Sequence, residues 1–303
     1  MSIFYRRARS GDVGAVAKVF AEAIDDLDKR HGFFYGSTPT HPPNPLYEFA
    51  LRKDPRAFWV AEDHSRVVGY TFSFLRGSLW FLADLFILPS YQGRGVGRNL
   101  IRRTLASWKG RRIGNRALIT HAYNPSSVSL YMRFGMYPRE VLYFASAPKS
   151  TLLRKVTPHI PRAEVEEATN LEDARNLLEQ IDRKVLGFSL GWHHDFYFEQ
   201  KAHCFIFKKY RRPVGYAYVR NSGRVGPVAV TASSFLGPAM RTAVTLATEG
   251  ENKEAAIVYP GSNEEAVANS IKFGFRITQP MLYLSAHSMG IWKNYMPYSP
   301  DSM

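Results

Sequence analysis

Residues 85–100 read Leu-Phe-Ile-Leu-Pro-Ser-Tyr-Gln-Gly-Arg-Gly-Val-Gly-Arg-Asn-Leu. Gly93, Gly95 and Gly97 alternate there, between an apolar run suited to a strand and a stretch with amphipathic helical spacing. Glycines at such a junction leave backbone N–H groups unshielded. The first turn of the following helix adds further unpaired N–H groups and the positive end of its dipole. The chemistry served by this combination is the holding of phosphate oxygens. The spacing is not that of the P-loop, which needs Lys-Ser/Thr after its last glycine. Nor is it that of the dinucleotide loop, which places two residues before its last glycine.

A second run follows in the chain, Asn124-Pro-Ser-Ser-Val-Ser-Leu-Tyr131-Met-Arg-Phe-Gly135-Met. The two runs, in this order and in strand–loop–helix contexts, resemble the acetyl-CoA motifs of the GCN5-related N-acetyltransferases (GNATs), the first of which reads Gln/Arg-x-x-Gly-x-Gly. The resemblance implies an α+β fold in which each domain has a mixed, mostly antiparallel sheet flanked by helices. It implies acetyl-CoA as cosubstrate, with no metal. It assigns the pyrophosphate to Gln92, Gly93, Arg94, Gly95, Val96, Gly97 and Arg98. It lays the pantetheine arm along the backbone of Leu85, Phe86 and Ile87, where a free strand edge needs partners. Asn124 matches the residue beside the pantetheine, and Tyr131 both touches the cosubstrate and matches the general acid that protonates the leaving thiolate.

The general base is left open. Polyamine-acetylating relatives carry a glutamate where this chain has Ala83. Asp84 stands next to it, but strand alternation turns neighbouring positions to opposite faces. His121, on the next strand, could titrate near neutral pH. A water relay is a third route. Each residue also has a plain structural reading: Tyr131 as a core ring, Asn124 as a helix cap before Pro125, Asp84 and His121 as buried polar groups, and the arginines after the loop as a solvated helix face.

The elements that must position these residues follow from periodicity. Val13, Val16, Val19, Phe20, Ala23, Ile24 and Leu27 repeat at helical spacing over residues 11–30. Residues 57–62 and 67–74 read as strands joined by the polar turn Asp63-His64-Ser65, and residues 80–88 as a fully buried strand. Val96, Leu100, Ile101, Leu105 and Trp108 form the inner stripe of a helix, residues 117–122 a strand, and residues 126–134 a short helix ended by Gly135. The aromatic, proline-rich segment at residues 31–47 is the expected wall of an acceptor pocket. It carries little acid, which argues against a polycationic acceptor.

The chain repeats this pattern once. Arg66-Val-Val-Gly69-Tyr70 is echoed by Arg212-Pro-Val-Gly215-Tyr216, Asn124…Gly135 by Asn263…Gly274, and Leu85…Gly97 by Val228…Met240 without a gap. The expected organisation is therefore a domain at 1–148 with the intact motif, a linker at 149–161, and a degenerate domain of the same kind at 162–303. In the second copy Leu236, Pro238 and Met240 replace the three glycines, and Ser270 replaces Tyr131. Proline has no N–H to offer.

Of 303 residues, 45% are hydrophobic, as in globular proteins. No run is long and apolar enough for a membrane helix, and no apolar signal core opens the chain, so a cytoplasmic protein with no membrane partner is expected. Residues 1–150 carry 22 Lys/Arg against 11 Asp/Glu, while the rest carry 18 against 15. A basic first half suits a phosphate-bearing ligand such as CoA. Nucleic acid is ranked last as a partner, because no recognisable binding motif accompanies the charge. The single cysteine, Cys204, excludes an intrachain disulfide. His193, His194 and Cys204 lack a further ligand at metal spacing. The expected activity is direct acetyl transfer to a primary amine through the first domain. The alternative from a different class is an acyl-CoA-binding sensor or scaffold without catalysis.

Overall fold

The computed structural model describes residues 3–33, 36–157 and 164–303. Residues 158–161 of the expected linker, and Phe34 and Tyr35 of the aromatic segment, lie outside the described residues. By internal contacts the chain forms two units, one made of residues 1–119 and 123–136, the other of residues 120–122 and 137–303.

The first unit runs β1 (Phe4–Arg7), α1 (Val13–His31), α2 (Pro45–Lys53), β2 (Phe58–Asp63), β3 (Arg66–Arg76), β4 (Leu79–Ile87), α3 (Val96–Ala106), β5 (Asn115–His121) and α4 (Pro125–Met132). β1 to β4 pair antiparallel in sequence order, and β5 joins β4 in parallel. α1 buries the stripe read from the sequence and stops at Gly32 in the left-handed conformation. β4 departs from expectation in its last three residues. Leu85, Phe86 and Ile87 are only partly buried, because the β4–β5 ladder ends at the pair Leu82–Leu118 and leaves the later part of β4 without that neighbour.

The second unit contains β6 (Tyr137–Pro148), α5 (Lys149–Lys155), β7 (Val165–Ala168), α6 (Leu171–Leu186), α7 (His193–Glu199), β8 (His203–Lys209), β9 (Arg212–Val219), β10 (Val225–Val230), α8 (Leu236–Ala247), β11 (Glu254–Pro260), α9 (Glu264–Phe273), β12 (Arg276–Ser285) and β13 (Tyr295–Met296). β7 to β10 form an antiparallel meander, and β13 adds to the free side of β10. The contacts do not divide at residue 148. β6 pairs with β12 over residues 137–146 and with β11 over residues 142–148, and its Ala145 and Ala147 lie in the core of the second unit. Part of the expected linker is the helix α5, whose Leu152 enters that core together with Val156, one turn on.

Both units reuse the same local geometry. The β2–β3 turn places His64 and Ser65 at positive φ, and the β8–β9 turn does so at Tyr210 and Arg211. This is the twist that favours two-residue hairpins. Beyond each turn the same backbone bond recurs, Leu88 N–H to Val68 O at 2.9 Å and Thr231 N–H to Val214 O at 2.8 Å. The repeat read from the sequence is thus a repeat in structure.

Candidate active site

β4 and the loop after it carry most of the expected residues. Gly93 and Gly95 have φ of +74° and +80°, values that side-chain-bearing residues rarely adopt. Gly95 is the N-cap of α3, so the amides of Val96, Gly97 and Arg98 open the helix without carbonyl partners one turn earlier. A Cβ at Gly97 would meet Leu130 at 3.4 Å, Leu85 at 3.7 Å and Ile87 at 3.9 Å. These are ordinary contact distances, so an alanine would fit there, packed against α4 and β4. Gln92 spends its amide Nε2 on the carbonyl of Ile87 at 3.0 Å, which ties the loop to the strand end. Arg94 lies over the Tyr91 ring, 5.4 Å from its centroid, and Tyr91 donates to Asp63 Oδ2 at 2.9 Å. That bond raises the Tyr91 phenol above its ordinary range. Arg98 is exposed.

A β-bulge at Ala83 corrects the alternation argument about Asp84. Leu82 pairs with Ser73 and Asp84 with Phe72, so Ala83 is the extra residue. Past the bulge, Asp84 and Phe86 share the face of Phe72 and Tyr70. Position 83 would have pointed to that face in a regular strand. Asp84 is buried and accepts from the Tyr70 hydroxyl at 3.0 Å. Tyr70 has one proton and gives it to Asp84, so Tyr47 of α2 is the donor in the 3.0 Å bond between the two phenols. Burial, with the Asp84 charge beside it, pushes the Tyr70 phenol well above its ordinary range. Phe86 meets Phe20 of α1 edge-on at 4.9 Å and stacks on Tyr70. The Asp84 face of β4 is therefore the face covered by α1 and α2. Leu85 and Ile87 point the other way, toward the loop and α3.

Asn124 caps α4 by accepting from Ser127 N–H at 3.1 Å, which leaves its amide NH₂ as a donor. Tyr131 is buried on α4, and Gly135 follows with φ of +73°, as expected of a helix terminator. The neighbouring Leu130 is the residue that abuts Gly97. His121 ends β5 in the short piece, residues 120–122, that groups with the second unit. Burial pushes its imidazole down to about 4, so it is neutral and weakly basic at pH 7. The structure thus brings Leu85–Ile87, the glycine loop, Asp84 and α4 with Asn124 and Tyr131 into one unit, and His121 counts with the other.

Sequence reasoning missed Tyr47 and Tyr70. The signal for Tyr70 was the repeated Gly-Tyr pair, since Tyr216 likewise donates to a buried carboxylate, Asp182, at 2.5 Å. In the second unit His194 bridges Asp182 at 2.9 Å and the Tyr218 hydroxyl at 2.8 Å, fully buried. Burial pushes the Cys204 thiol up to about 12. Among the described residues no group of three or more His, Cys, Asp or Glu is placed to hold a metal ion. No described helix is long and apolar enough to cross a membrane.

The second copy of the loop has a different structure. α8 begins at Leu236, so positions matching Gly93 and Gly95 are helical, and Leu236 and Met240 fill the core. The carboxylate of Glu265, from α9, lies against Gly237 in the first turn of α8. Along β10, Val228 and Ala229 match Leu85 and Phe86, and β13 pairs with both, Val228 with Met296 and Ala229 with Tyr295. Pro227 stands at the position of Asp84.

Residues 22–136 match the Acetyltransferase (GNAT) family. In fold, the whole chain is similar to a candidate acetyltransferase from Pyrococcus horikoshii, with a TM-score of 0.79 at 17% identity over 99% of this chain and 96% of that one. It is also similar to a GCN5-related N-acetyltransferase from Sphaerobacter thermophilus, with a TM-score of 0.65 at 11% identity over 95% and 97%. A tandem GNAT protein from the clavulanic acid biosynthesis pathway gives 0.62 at 15% identity over 95% and 98%.

Proposed function

We propose that the first domain, which contains the residues matched to the GNAT family in a chain with the fold of tandem GNAT proteins, transfers an acetyl group directly from acetyl-CoA to a primary amine. The observation that carries this reading is the conjunction of an open β4 edge at Leu85–Ile87 with a glycine loop that ends in the first amides of α3, which lack carbonyl partners one turn earlier. The residues fit the group: backbone on the edge for the pantetheine amides, positive φ at Gly93 and Gly95 for close approach of phosphate, and Arg94 and Arg98 for charge. The two-residue strand β13 supports a single site per chain, because it covers the corresponding edge of the second domain.

In this reading the acceptor amine enters on the α1/α2 face, where Asp84 draws its proton away, directly or through water. Tyr70 donates to Asp84 Oδ2 and Tyr47 donates in turn to Tyr70, which fixes the orientation of the carboxylate. The amine nitrogen bonds to the acetyl carbon, the carbon–sulfur bond breaks, and Tyr131 gives its proton to the departing sulfur. Binding of acetyl-CoA supplies the activated acyl group, and the loop and strand edge hold it in place.

Tyr131→Phe tests the chemistry. It keeps the buried ring, so stability and acetyl-CoA affinity should hold while kcat falls by about 10²-fold, read as thiol release across a panel of amines. Full activity in the variant would remove Tyr131 from the mechanism. A wild-type protein that binds acetyl-CoA but releases no thiol with any acceptor would favour the sensor alternative.

A further inference from the structure

In the first domain Tyr91 reaches from the loop after β4 to the β2–β3 turn, where its hydroxyl meets Asp63. The ungapped repeat puts Ser234 at the position of Tyr91. The equivalent hairpin turns, with positive φ at matching residues, put Lys209 at the position of Asp63. The second domain has therefore lost a phenol ring and exchanged a carboxylate for an ammonium. A cavity of about 360 Å³ stands there, lined by Val165, Phe207, Val214, Phe235 and Pro238, and its polar lining includes Ser234, Thr242 and Lys209.

The charges around the cavity are uneven. Lys208 is held by Glu166, and Glu164 lies exposed at the rim. Lys209 makes no ion pair among the described residues, and its Nζ lies 5.2 Å from the Phe235 ring and 5.6 Å from the Tyr210 ring. A largely apolar chamber lined by one ammonium that has no ion pair among the described residues selects a ligand with a hydrophobic body and a single acidic head.

We infer that this cavity is a binding site for a small amphipathic carboxylate, an aryl or acyl acid, its apolar body in the space that Tyr91 fills in the first domain and its carboxylate on Lys209. The site is separate from the glycine loop and does not depend on the activity proposed above.

Saturation-transfer NMR and titration with 3-phenylpropionate, octanoate and the uncharged 3-phenylpropionamide test it on the full chain. The acids should bind, and the amide about tenfold more weakly or worse. Lys209→Gln should remove that preference. Ser234→Tyr should put a ring at the position of Tyr91, fill the cavity and abolish binding without lowering Tm. Val214→Phe, which fills the cavity from the sheet side, repeats the test independently of the loop. The inference is overturned if neither acid binds the wild-type chain at millimolar concentration, if the amide binds as tightly as the acid, or if both filling variants bind as the wild type does.

Discussion

The Leu85–Gly97 stretch and its counterpart Val228–Met240 occupy the same place in two copies of one fold and meet opposite fates. In the first, the strand edge beyond Leu82 lies open on the β5 side, and the helix starts only after two glycines with left-handed backbone. In the second, the chain itself covers the strand edge and fills the loop. β13 takes the strand edge, Glu265 sets a negative charge against the first turn of α8, and Leu236 and Met240 put apolar bulk into the core. On the proposed reading, a copy of the fold that lacks a cosubstrate site need not carry a void in its place. Exposed edges and helix termini need partners, and the second copy meets that need from within.

The comparison can be broken most sharply at Gly95. Gly95→Asp puts a side chain at a φ of +80° and a negative charge where phosphate would lie. Affinity for acetyl-CoA should fall by about a hundredfold or more, ~2.7 kcal/mol, while stability falls only by the left-handed backbone strain, about 1–2 kcal/mol, because a Cβ there meets nothing within 4 Å. Unchanged affinity by equilibrium dialysis would detach the loop from the ligand. Asp84→Asn comes next. It preserves shape and an oxygen for Tyr70 but no longer accepts a proton, so kcat should fall by about tenfold or more with acetyl-CoA affinity intact. An equal loss of acetyl-CoA affinity would make Asp84 a purely structural carboxylate.

In the second domain, Met240→Ala empties fully buried volume and should cost about 2–5 kcal/mol in chemical denaturation, with no effect on acetyl-CoA binding. Under 1 kcal/mol, or a change in ligand affinity, would argue against the filled-core account. The smallest expected effect is the most informative for the comparison. Changing Leu236, Pro238 and Met240 together to glycine should not create a second acetyl-CoA site, because β13 still covers the edge. A second site in that variant would assign the loss to the loop alone.

Much of the first domain was legible in the sequence because its signals are local. Glycines at a strand–helix junction, Gly135 after a short helix and the apolar stripe of α1 each specify backbone geometry within a few residues. The face of Asp84 was not legible, because alternation assumes one residue per position and the bulge at Ala83 breaks that count. The allegiance of β6 was hidden for a related reason. Nothing within residues 137–148 encodes that their partners are β11 and β12. β13 is two residues long and has no periodicity to read, and only its register against Val228 and Ala229 reveals what it does. The exchange of Tyr91 and Asp63 for Ser234 and Lys209 was present in the repeat, yet its meaning needed the hairpins to show that the two positions face each other.

Calorimetric titration of the full wild-type chain with acetyl-CoA tests the central claim most directly. One open strand edge and one glycine loop predict a single site per chain, with a stoichiometry near one that disappears in Gly95→Asp. A stoichiometry near two, or a single site that survives that substitution, would contradict the assignment of the ligand to the first domain.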